Sequence, residues 1–301
     1  MTMEHPLVYI LTLNWNRRKD TLDCLASLQE TTYPNYRLLV IDNHSADGSV
    51  EAISRCFPQA EIIANRRNLG FAAAANMGIR YALARKAEYV LLINNDTIVE
   101  PAMVGELISQ ATAPDVGIVA PKIYYYADPK RIWSVGSGRN CLTLEKTKGG
   151  EDELDQGQWE EVMQVDFLTG CGLLLPRWFL QDVGLFDERF FMYYEDNDLC
   201  VRARKHGYRL LMAPKARMWH KVSASSGGRD SPFERYWMAH SSALFFRRHA
   251  RGVQWVAVIL WRLGSAVRTS FRLGCRGGFQ ALRAYWRGLF DGWCCAREET
   301  A

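Results

Sequence analysis

Apolar runs and polar breaks alternate along the first hundred residues. Leu7 to Leu13 is an apolar run that stops at Asn14-Trp15-Asn16, and Arg37 to Ile41 is another that stops at Asp42-Asn43-His44-Ser45. Glu61 to Ala64 is a shorter third run, followed by Asn65 to Asn68 and Gly70. Tyr89 to Ile93 is an unbroken fourth, and it stops at Asn94-Asn95-Asp96. Runs without polar alternation fit strands buried on both faces, as in a parallel sheet. Between them the spacing turns helical: Leu22, Leu25 and Leu28 within Asp20 to Gln29, a stretch from Gly48 to about Phe57, and the small-residue segment Phe71 to Arg85. This alternation predicts an α/β fold built on a doubly wound parallel sheet.

Past Pro101 the alternation loosens. Val104 to Ala111 reads as a helix, Gly117 to Ala120 as a short strand, and Asn140 to Gly157 as a polar, glycine-bearing loop. Val162 to Phe167 and Gly172 to Leu175 read as strands flanking Leu168-Thr-Gly-Cys171, and Trp178 to Val183 as a short helix. A helix opens at Glu195-Asp196-Asn197-Asp198, closes with Arg202, Arg204 and Lys205, and is capped by Gly207. That order of charges suits the helix macrodipole at both ends. Tyr208 to Met212 and Ala216 to Lys221 read as two strands, the second carrying His220, and Val222 to Gly228 as a Ser/Gly loop and candidate lid.

Three of the first four strands end in polar clusters, and by the crossover rule those ends share one edge, where α/β sheets bind ligands. No G-x-G-x-x-G follows the first strand and no G-x-x-x-x-G-K-[ST] occurs anywhere, so the glycine cradles of dinucleotide and P-loop sites are missing. Asp96 at a strand end suits Mg²⁺ or Mn²⁺ carrying a phosphate. The competing reading is a polar turn with Asp96 or Thr97 as N-cap of a helix. Glu195 and Asp196, directly after an apolar and aromatic stretch, are placed for general base work. Their competing reading is charge complementarity with the helix dipole. A lone histidine such as His220 is by itself more often a satisfied core or surface group.

Composition adds an asymmetry. The 301 residues carry a net charge of +4, but residues 247–301 carry +7 and the rest −3. Ten arginines and no lysine lie between Arg247 and Arg297, interleaved with Trp255, Trp261, Phe271, Trp286 and Phe290. The longest uncharged run there, Gly252 to Trp261, falls short of the ~20 residues a membrane span needs. The pattern predicts helices lying in a membrane interface. A packed helical hairpin or a dimer contact is the alternative. Nucleic acid, which also attracts arginine with aromatics, fits less well with a tail so rich in Val, Ile, Leu and Trp. Eight cysteines without metal-ligand spacing, and a short polar start, lead to the expectation of a reduced, cytoplasmic protein, peripheral on the inner face of the cell membrane.

Taken together these residues resemble the family 2 glycosyltransferases, above all the rhamnosyltransferase-like branch, from about Leu7 to Ala250. Seven stretches carry the resemblance in family order: Leu13 to Arg17; Val40 to Ser49; Asn68-Leu-Gly-Phe71 with Asn76-Met-Gly78; Leu92 to Thr97; Thr169-Gly-Cys171; Phe191 to Asp198; and Trp219-His220-Lys221. The resemblance implies a GT-A type nucleotide-diphospho-sugar transferase fold, a Rossmann-like mixed sheet with flanking helices, over residues 1–250. Its nucleotide-binding half would run to about 115 and its acceptor-binding half over about 116–250, with a basic amphipathic helical tail at 251–301. By the same resemblance, Asn14, Trp15, Asn16 and Asp42 hold base and ribose, with Asn68, Asn76 and Asn95 further nucleotide-sugar contacts. The family's D-x-D motif stands here as Asn94-Asn95-Asp96, so Asp96, completed by His220, is the metal position for Mg²⁺ or Mn²⁺. Asp196, paired with Glu195, is the general base. Ala72 to Ala75 departs from the Gly-Gly-Asn common in relatives. The implied activity is inverting, metal-dependent transfer of a sugar from a nucleoside diphosphate sugar, dTDP-rhamnose being the first trial. The implied acceptor is a saccharide or lipid-linked molecule of cell-surface polysaccharide synthesis. The missing first acid of the D-x-D motif motivates a second reading, a catalytically silent sugar-nucleotide-binding or scaffold protein.

Overall fold

The structure is a computed structural model, described here over residues 5–222 and 230–294. The stretch read as a lid lies outside those residues except for Val222. The first half is strand and helix in turn: β1 Val8–Asn14, α1 Arg18–Gln29, β2 Tyr36–Asp42, α2 Ser49–Cys56, β3 Glu61–Ala64, α3 Phe71–Ala84 and β4 Tyr89–Asn94. Then come β5 Thr97–Val99, α4 Met103–Gln110, β6 Val116–Tyr125, β7 Ile132–Ser134, β8 Met163–Val165 and β9 Gly172–Pro176. The chain continues with α5 Arg177–Val183, α6 Glu195–Lys205, β10 Arg209–His220, α7 Pro232–His249, α8 Gln254–Cys275 and α9 Phe279–Cys294.

All ten strands join one sheet in the order β3-β2-β1-β4-β9-β6-β10-β5, with β7 on β6 and β8 on β10. The pairs among β1, β2, β3 and β4 are parallel. Beyond β4 the sheet is mixed: β9 is antiparallel to β4, β6 and β10 are parallel, and β5 is antiparallel to the end of β10. The doubly wound expectation therefore holds for the first half, and the mixed sheet implied by the resemblance holds for the whole. Two readings change. Tyr208–Met212 and Ala216–Lys221 are one strand, β10, whose register against β6 shifts between Ala213 and Arg217. Thr97 caps no helix: it opens β5, and the next helix begins only at Met103.

Burial on both faces explains the unbroken apolar runs. Val8, Ile10, Val40 and Leu91 face a core with Leu25, Leu28 and Ile53 of α1 and α2. Tyr9, Leu11, Leu39 and Leu92 face another with Ala72, Ala75 and Ile79 of α3. The polar strand ends fall in register: Asn14 lies opposite Asp42, and Leu13 opposite Asn94.

The basic tail forms α8 and α9, and α9 packs on α7. The approach is made by Gly288 and Gly292, where a Cβ would run into the backbone carbonyls of Tyr236 and His240. The tail is thus part of the folded body on one side. On the other it exposes Val253, Leu260, Leu263, Val267, Phe271 and Phe290. No helix among the described residues is long and apolar enough to cross a membrane.

Candidate active site

The carboxyl ends of β1, β2 and β4 open into a cleft of about 380 Å³. On one wall the loop after β1 is tied to the loop after β2. Asn14 Nδ2 donates to Asp42 Oδ2 at 2.7 Å and to Ser45 Oγ at 2.9 Å, while Asn14 Oδ1 accepts from Thr21 Oγ1 at 2.7 Å. Asn16 takes a left-handed φ of 52°; its amide donates to Ser45 Oγ and its Oδ1 accepts from the Ala46 amide. Asn14 and Trp15 line the cleft, whereas Asp42 and Asn16 stand behind it and fix the two loops.

Asn43 and Asn68 make the adjoining wall. Asn43 Nδ2 donates to Asn68 Oδ1 at 2.8 Å and to the Gly70 carbonyl at 3.1 Å, and Asn68 Oδ1 also accepts from the Gly70 amide. Gly70 itself has φ +81°, and a side chain there would strike the Phe191 carbonyl. Asn76 is elsewhere. It is buried in α3, donates to the Phe186 carbonyl and to Glu188, and accepts from the Phe186 amide. Its polar atoms clamp α3 to the chain before the Glu195 helix, and it does not line the cleft.

Asn94, Asn95 and Asp96 form the floor. Asn95 is buried and donates to Thr21 Oγ1 at 2.8 Å and to Asn14 Oδ1 at 3.3 Å, which joins it to the Asn14 network. Asp96 turns the other way. The antiparallel pairing of β5 with β10 sets Thr97 opposite His220, and His220 Nε2 comes to 3.1 Å from Asp96 Oδ1. Both side chains are buried. The Trp133 ring stands edge-on to the imidazole at 4.5 Å. Burial works against a charged imidazole, but the Cys171 sulfur and the Asp96 carboxylate outweigh it and hold the His220 pKa above its ordinary value. Burial also keeps Cys171 a neutral thiol, so at neutral pH the Asp96 carboxylate is the group that matters.

A carboxylate oxygen and an imidazole nitrogen facing each other suit Mn²⁺ or Mg²⁺, whose binding would displace the proton that the raised pKa favours on His220. No set of three or more His, Cys, Asp or Glu among the described residues is placed to hold an ion alone. The pair therefore fits a cation that brings its remaining ligands with it, as a diphosphate does.

The far wall comes from the start of α6. The chain enters it through Tyr193 and Tyr194, both with left-handed φ, at 67° and 65°. Two such residues in succession cost strain of the kind found at functional sites. The entry turns Glu195 and Asp196 into the cleft. Asp196 Oδ2 accepts from the Gly170 amide at 2.9 Å, and Oδ1 accepts from the Asn197 amide at 2.7 Å. Glu195 is buried with Oε2 lacking any hydrogen-bond partner. Burial first, and then the Asp196 charge, push its carboxyl well above the usual range. Asp198 faces away: it accepts from Arg202 Nε at 2.7 Å and meets His249 Nε2 at 2.8 Å, anchoring α6 to the end of α7. A second pocket of about 290 Å³ shares Trp133, Thr169, Tyr193, Glu195 and Asp196 with the cleft and runs on past Lys146 and Met238.

The sequence-predicted residues Asn14, Trp15, Asn68, Asn95, Asp96, Glu195, Asp196 and His220 thus meet in one cleft. Arg17, Asn43 and Cys171 join them without having been singled out. Asn43 and Arg17 stand beside Asp42 and Asn16 in the polar strand-end clusters, which was signal enough. Cys171 is visible only as the last residue of Thr169-Gly-Cys171.

Comparison with known proteins gives a family and a fold. The model of the family "Glycosyl transferase family 2" matches residues 9–169. The chain is 28% identical over 293 residues to an N-acetylglucosaminyl-diphospho-decaprenol L-rhamnosyltransferase of Mycobacterium tuberculosis, covering 89% of this chain and 92% of the relative. It is 21% identical over 249 residues to the dTDP-rhamnosyl transferase RfbF of Shigella flexneri, covering 80% of each. Among solved structures, the mannosyltransferase PcManGT of Pyrobaculum calidifontis, in complex with GDP-Man and Mn²⁺, superposes with a TM-score of 0.63 at 16% identity. That match covers 98% of this chain and 89% of PcManGT. GalNAc-T7 with UDP, GalNAc and Mn²⁺ gives 0.61 at 15% identity, over 81% of this chain and 50% of the other. At those identities the structures speak for the fold, which is GT-A-like.

Proposed function

The chain belongs to glycosyl transferase family 2, and we propose that it moves a sugar from a nucleoside diphosphate donor to a lipid-linked saccharide, with inversion, in cell-surface polysaccharide synthesis. It is a glycosyltransferase of the rhamnosyltransferase-like kind. The donor to try first is dTDP-rhamnose, because RfbF is named for it. A lipid-linked acceptor is preferred because the mycobacterial relative is named for one. The observation that carries the reading is the meeting of two pairs in one cleft, Asp96 with His220 and Glu195 with Asp196.

Each side chain has a task in it. Trp15 offers an aromatic face and Asn68 an amide to base and ribose, while Asn43, its side chain engaged by Asn65, Asn68, Leu69 and Gly70, braces that wall. Asp96 and His220 would hold Mg²⁺ or Mn²⁺, which fits the Mn²⁺ present in both solved neighbours. When bound, such an ion stabilises charge developing on a leaving diphosphate. Asp196, held by the Gly170 and Asn197 amides, takes the proton of the attacking acceptor hydroxyl. The reading includes work at the inner face of the membrane. Apolar side chains exposed between arginines on α8 and α9 support contact with an anionic lipid surface.

A thermal-shift panel of nucleotide sugars with and without Mn²⁺ tests it. A donor at about 100 times its Kd adds roughly 2.7 kcal/mol of stability. A panel in which no nucleotide sugar shifts the transition, with or without metal, overturns the reading.

A further inference from the structure

The space between the last three helices is graded from polar to apolar. An open groove of about 430 Å³ runs between α7, α8 and α9, walled by Phe246, Trp255, Ile259, Leu263, Trp286 and Phe290. Ile259, Leu263, Trp286 and Phe290 are largely exposed, and contiguous exposed apolar surface marks a binding site more often than chance. Arg262 is the one charged side chain lining this groove. Its guanidinium lies over the Phe246 ring at 5.0 Å and donates to Ser242 Oγ at 2.7 Å.

Across Arg262 the surface changes character. A cavity of about 550 Å³ is walled by Arg235, Arg262, Arg268 and Arg272 against one lining carboxylate, Glu145. Asp230 engages Arg235 at 3.1 Å and Arg272 at 2.6 Å, and Glu234 engages Arg235 at 2.7 Å, so that Arg268 carries the cavity's unneutralised charge. Arg262 is 3.7 Å from Glu145. Arg268 is exposed and has no ionic partner among the described residues. This cavity shares Tyr194 and Met238 with the pocket that opens from Glu195 and Asp196. A sugar-sized polar pocket, a cationic cavity and an apolar groove therefore follow one another away from the two carboxylates.

We propose that this track binds one molecule, an acceptor consisting of a saccharide, a diphosphate and a polyisoprenoid chain. The sugar lies beside Asp196, the diphosphate among the four arginines, and the first isoprene units in the groove. The order of environments matches the order of groups along such a lipid. Guanidinium groups bind phosphate oxygens through paired donors, and several converging on one cavity suit a multiply charged anion. A concave groove shares its surface with a single chain, whereas a flat bilayer face would meet the outward side chains Val256 and Leu260, which do not line it. The proposal rests on the reading of the chain as a transferase with a lipid-linked acceptor.

The test is a titration of the full chain in excess chelator, which keeps a metal-borne diphosphate away from Asp96. The probes are geranylgeranyl diphosphate, geranylgeraniol, inorganic diphosphate and phosphatidylglycerol vesicles, read by the fluorescence of the groove tryptophans. Geranylgeranyl diphosphate is expected to bind about tenfold more tightly than the alcohol or inorganic diphosphate. Arg268→Ala should weaken it about tenfold and leave the alcohol unchanged. Leu263→Ser should weaken it and leave inorganic diphosphate unchanged, and Asp96→Ala should change nothing. Both Arg268 and Leu263 are exposed, so neither variant threatens the fold. Equal binding of alcohol and diphosphate, indifference to Arg268→Ala, or vesicles that reproduce the whole response overturns the proposal. The transferase reading is scored separately by nucleotide-sugar thermal shifts. A donor that binds without any of this lipid response leaves that reading intact and removes the track. Lipid binding without any donor removes the acceptor role, and the proposal with it.

Discussion

His220 Nε2 sits 3.1 Å from Asp96 Oδ1 although 124 residues separate them. The contact is set by backbone register, since β5 begins directly after Asp96 and pairs with the last residues of β10. A cation held by both should need both. Asp96→Ala is expected to abolish the Mn²⁺-dependent tightening of donor binding, and His220→Ala to weaken it. Asn95→Ala should weaken binding less, through the Thr21 and Asn14 network. Calorimetric titration with and without chelator measures all three. Undiminished turnover in excess chelator would remove the cation from the reaction.

Gly288 and Gly292 let α9 lie against the backbone of α7, and α7 in turn holds α6 through His249 and Asp198. Gly288→Val or Gly292→Val forces the helices apart, at about 1–3 kcal/mol as for other overpacked contacts. Each kcal/mol lowers Tm by roughly 2–4 °C in chains of about 150–250 residues. Gly264→Ala, where a Cβ meets nothing, should leave Tm unchanged or raise it. Thermal denaturation of the three variants is the check. Valine variants that melt with the parent would mean α9 adds nothing to the fold.

The strand ends were legible because buried parallel strands write unbroken apolar runs, and whatever follows such a run must face the ligand edge. That is how Asn14, Asp42 and Asp96 could be picked out. β5 could not, because three residues carry no period and Asp96-Thr97 reads equally well as a helix cap. Asn76 shared a motif with Asn68, but its partner Phe186 lies 110 residues away, and only the fold shows that its side chain is spent on a clamp. The joining of two read strands into β10 was hidden by Pro214 and the register shift beside it. Gly288 and Gly292 have the four-residue spacing of close helix contacts, which arginines and aromatics around them obscured.

Glu195 offers a test by pH. Burial, then the charge of Asp196, raise its carboxyl pKa well above the ordinary range. The native chain thus holds this proton more tightly than the unfolded one. The stability it contributes is whole below the unfolded value of ~4.3 and is lost as pH rises through the folded value. Glu195→Gln stays neutral at every pH, so it should gain stability over the parent increasingly from pH 5 to pH 8. Urea midpoints at both ends of that range decide it. A difference that does not grow with pH would mean that Glu195 is ionised in the native state.

The stereochemical outcome follows from which carboxylates the cleft contains. Among its lining residues they are Asp96, Glu195 and Asp196. Asp96 faces His220, where the cation is proposed to sit, and Glu195 is held toward its neutral form, which makes it a poor nucleophile. Asp196 remains, with Oδ2 fixed by the Gly170 amide and Oδ1 by the Asn197 amide and side chain. One base and one leaving group on opposite faces of the sugar would give a single displacement, and the anomeric centre is expected to invert. Retention by double displacement would need a second ionised carboxylate as nucleophile. Asp196→Asn keeps the shape of the side chain and removes the base. It is expected to bind donor as the parent does and to lose about 10²–10⁴-fold in kcat, the usual worth of a general base. NMR of the product reads the configuration directly. A product that keeps the donor's own anomeric configuration would overturn this assignment whatever the variant does, and an Asp196→Asn enzyme with parental kcat would move the base elsewhere.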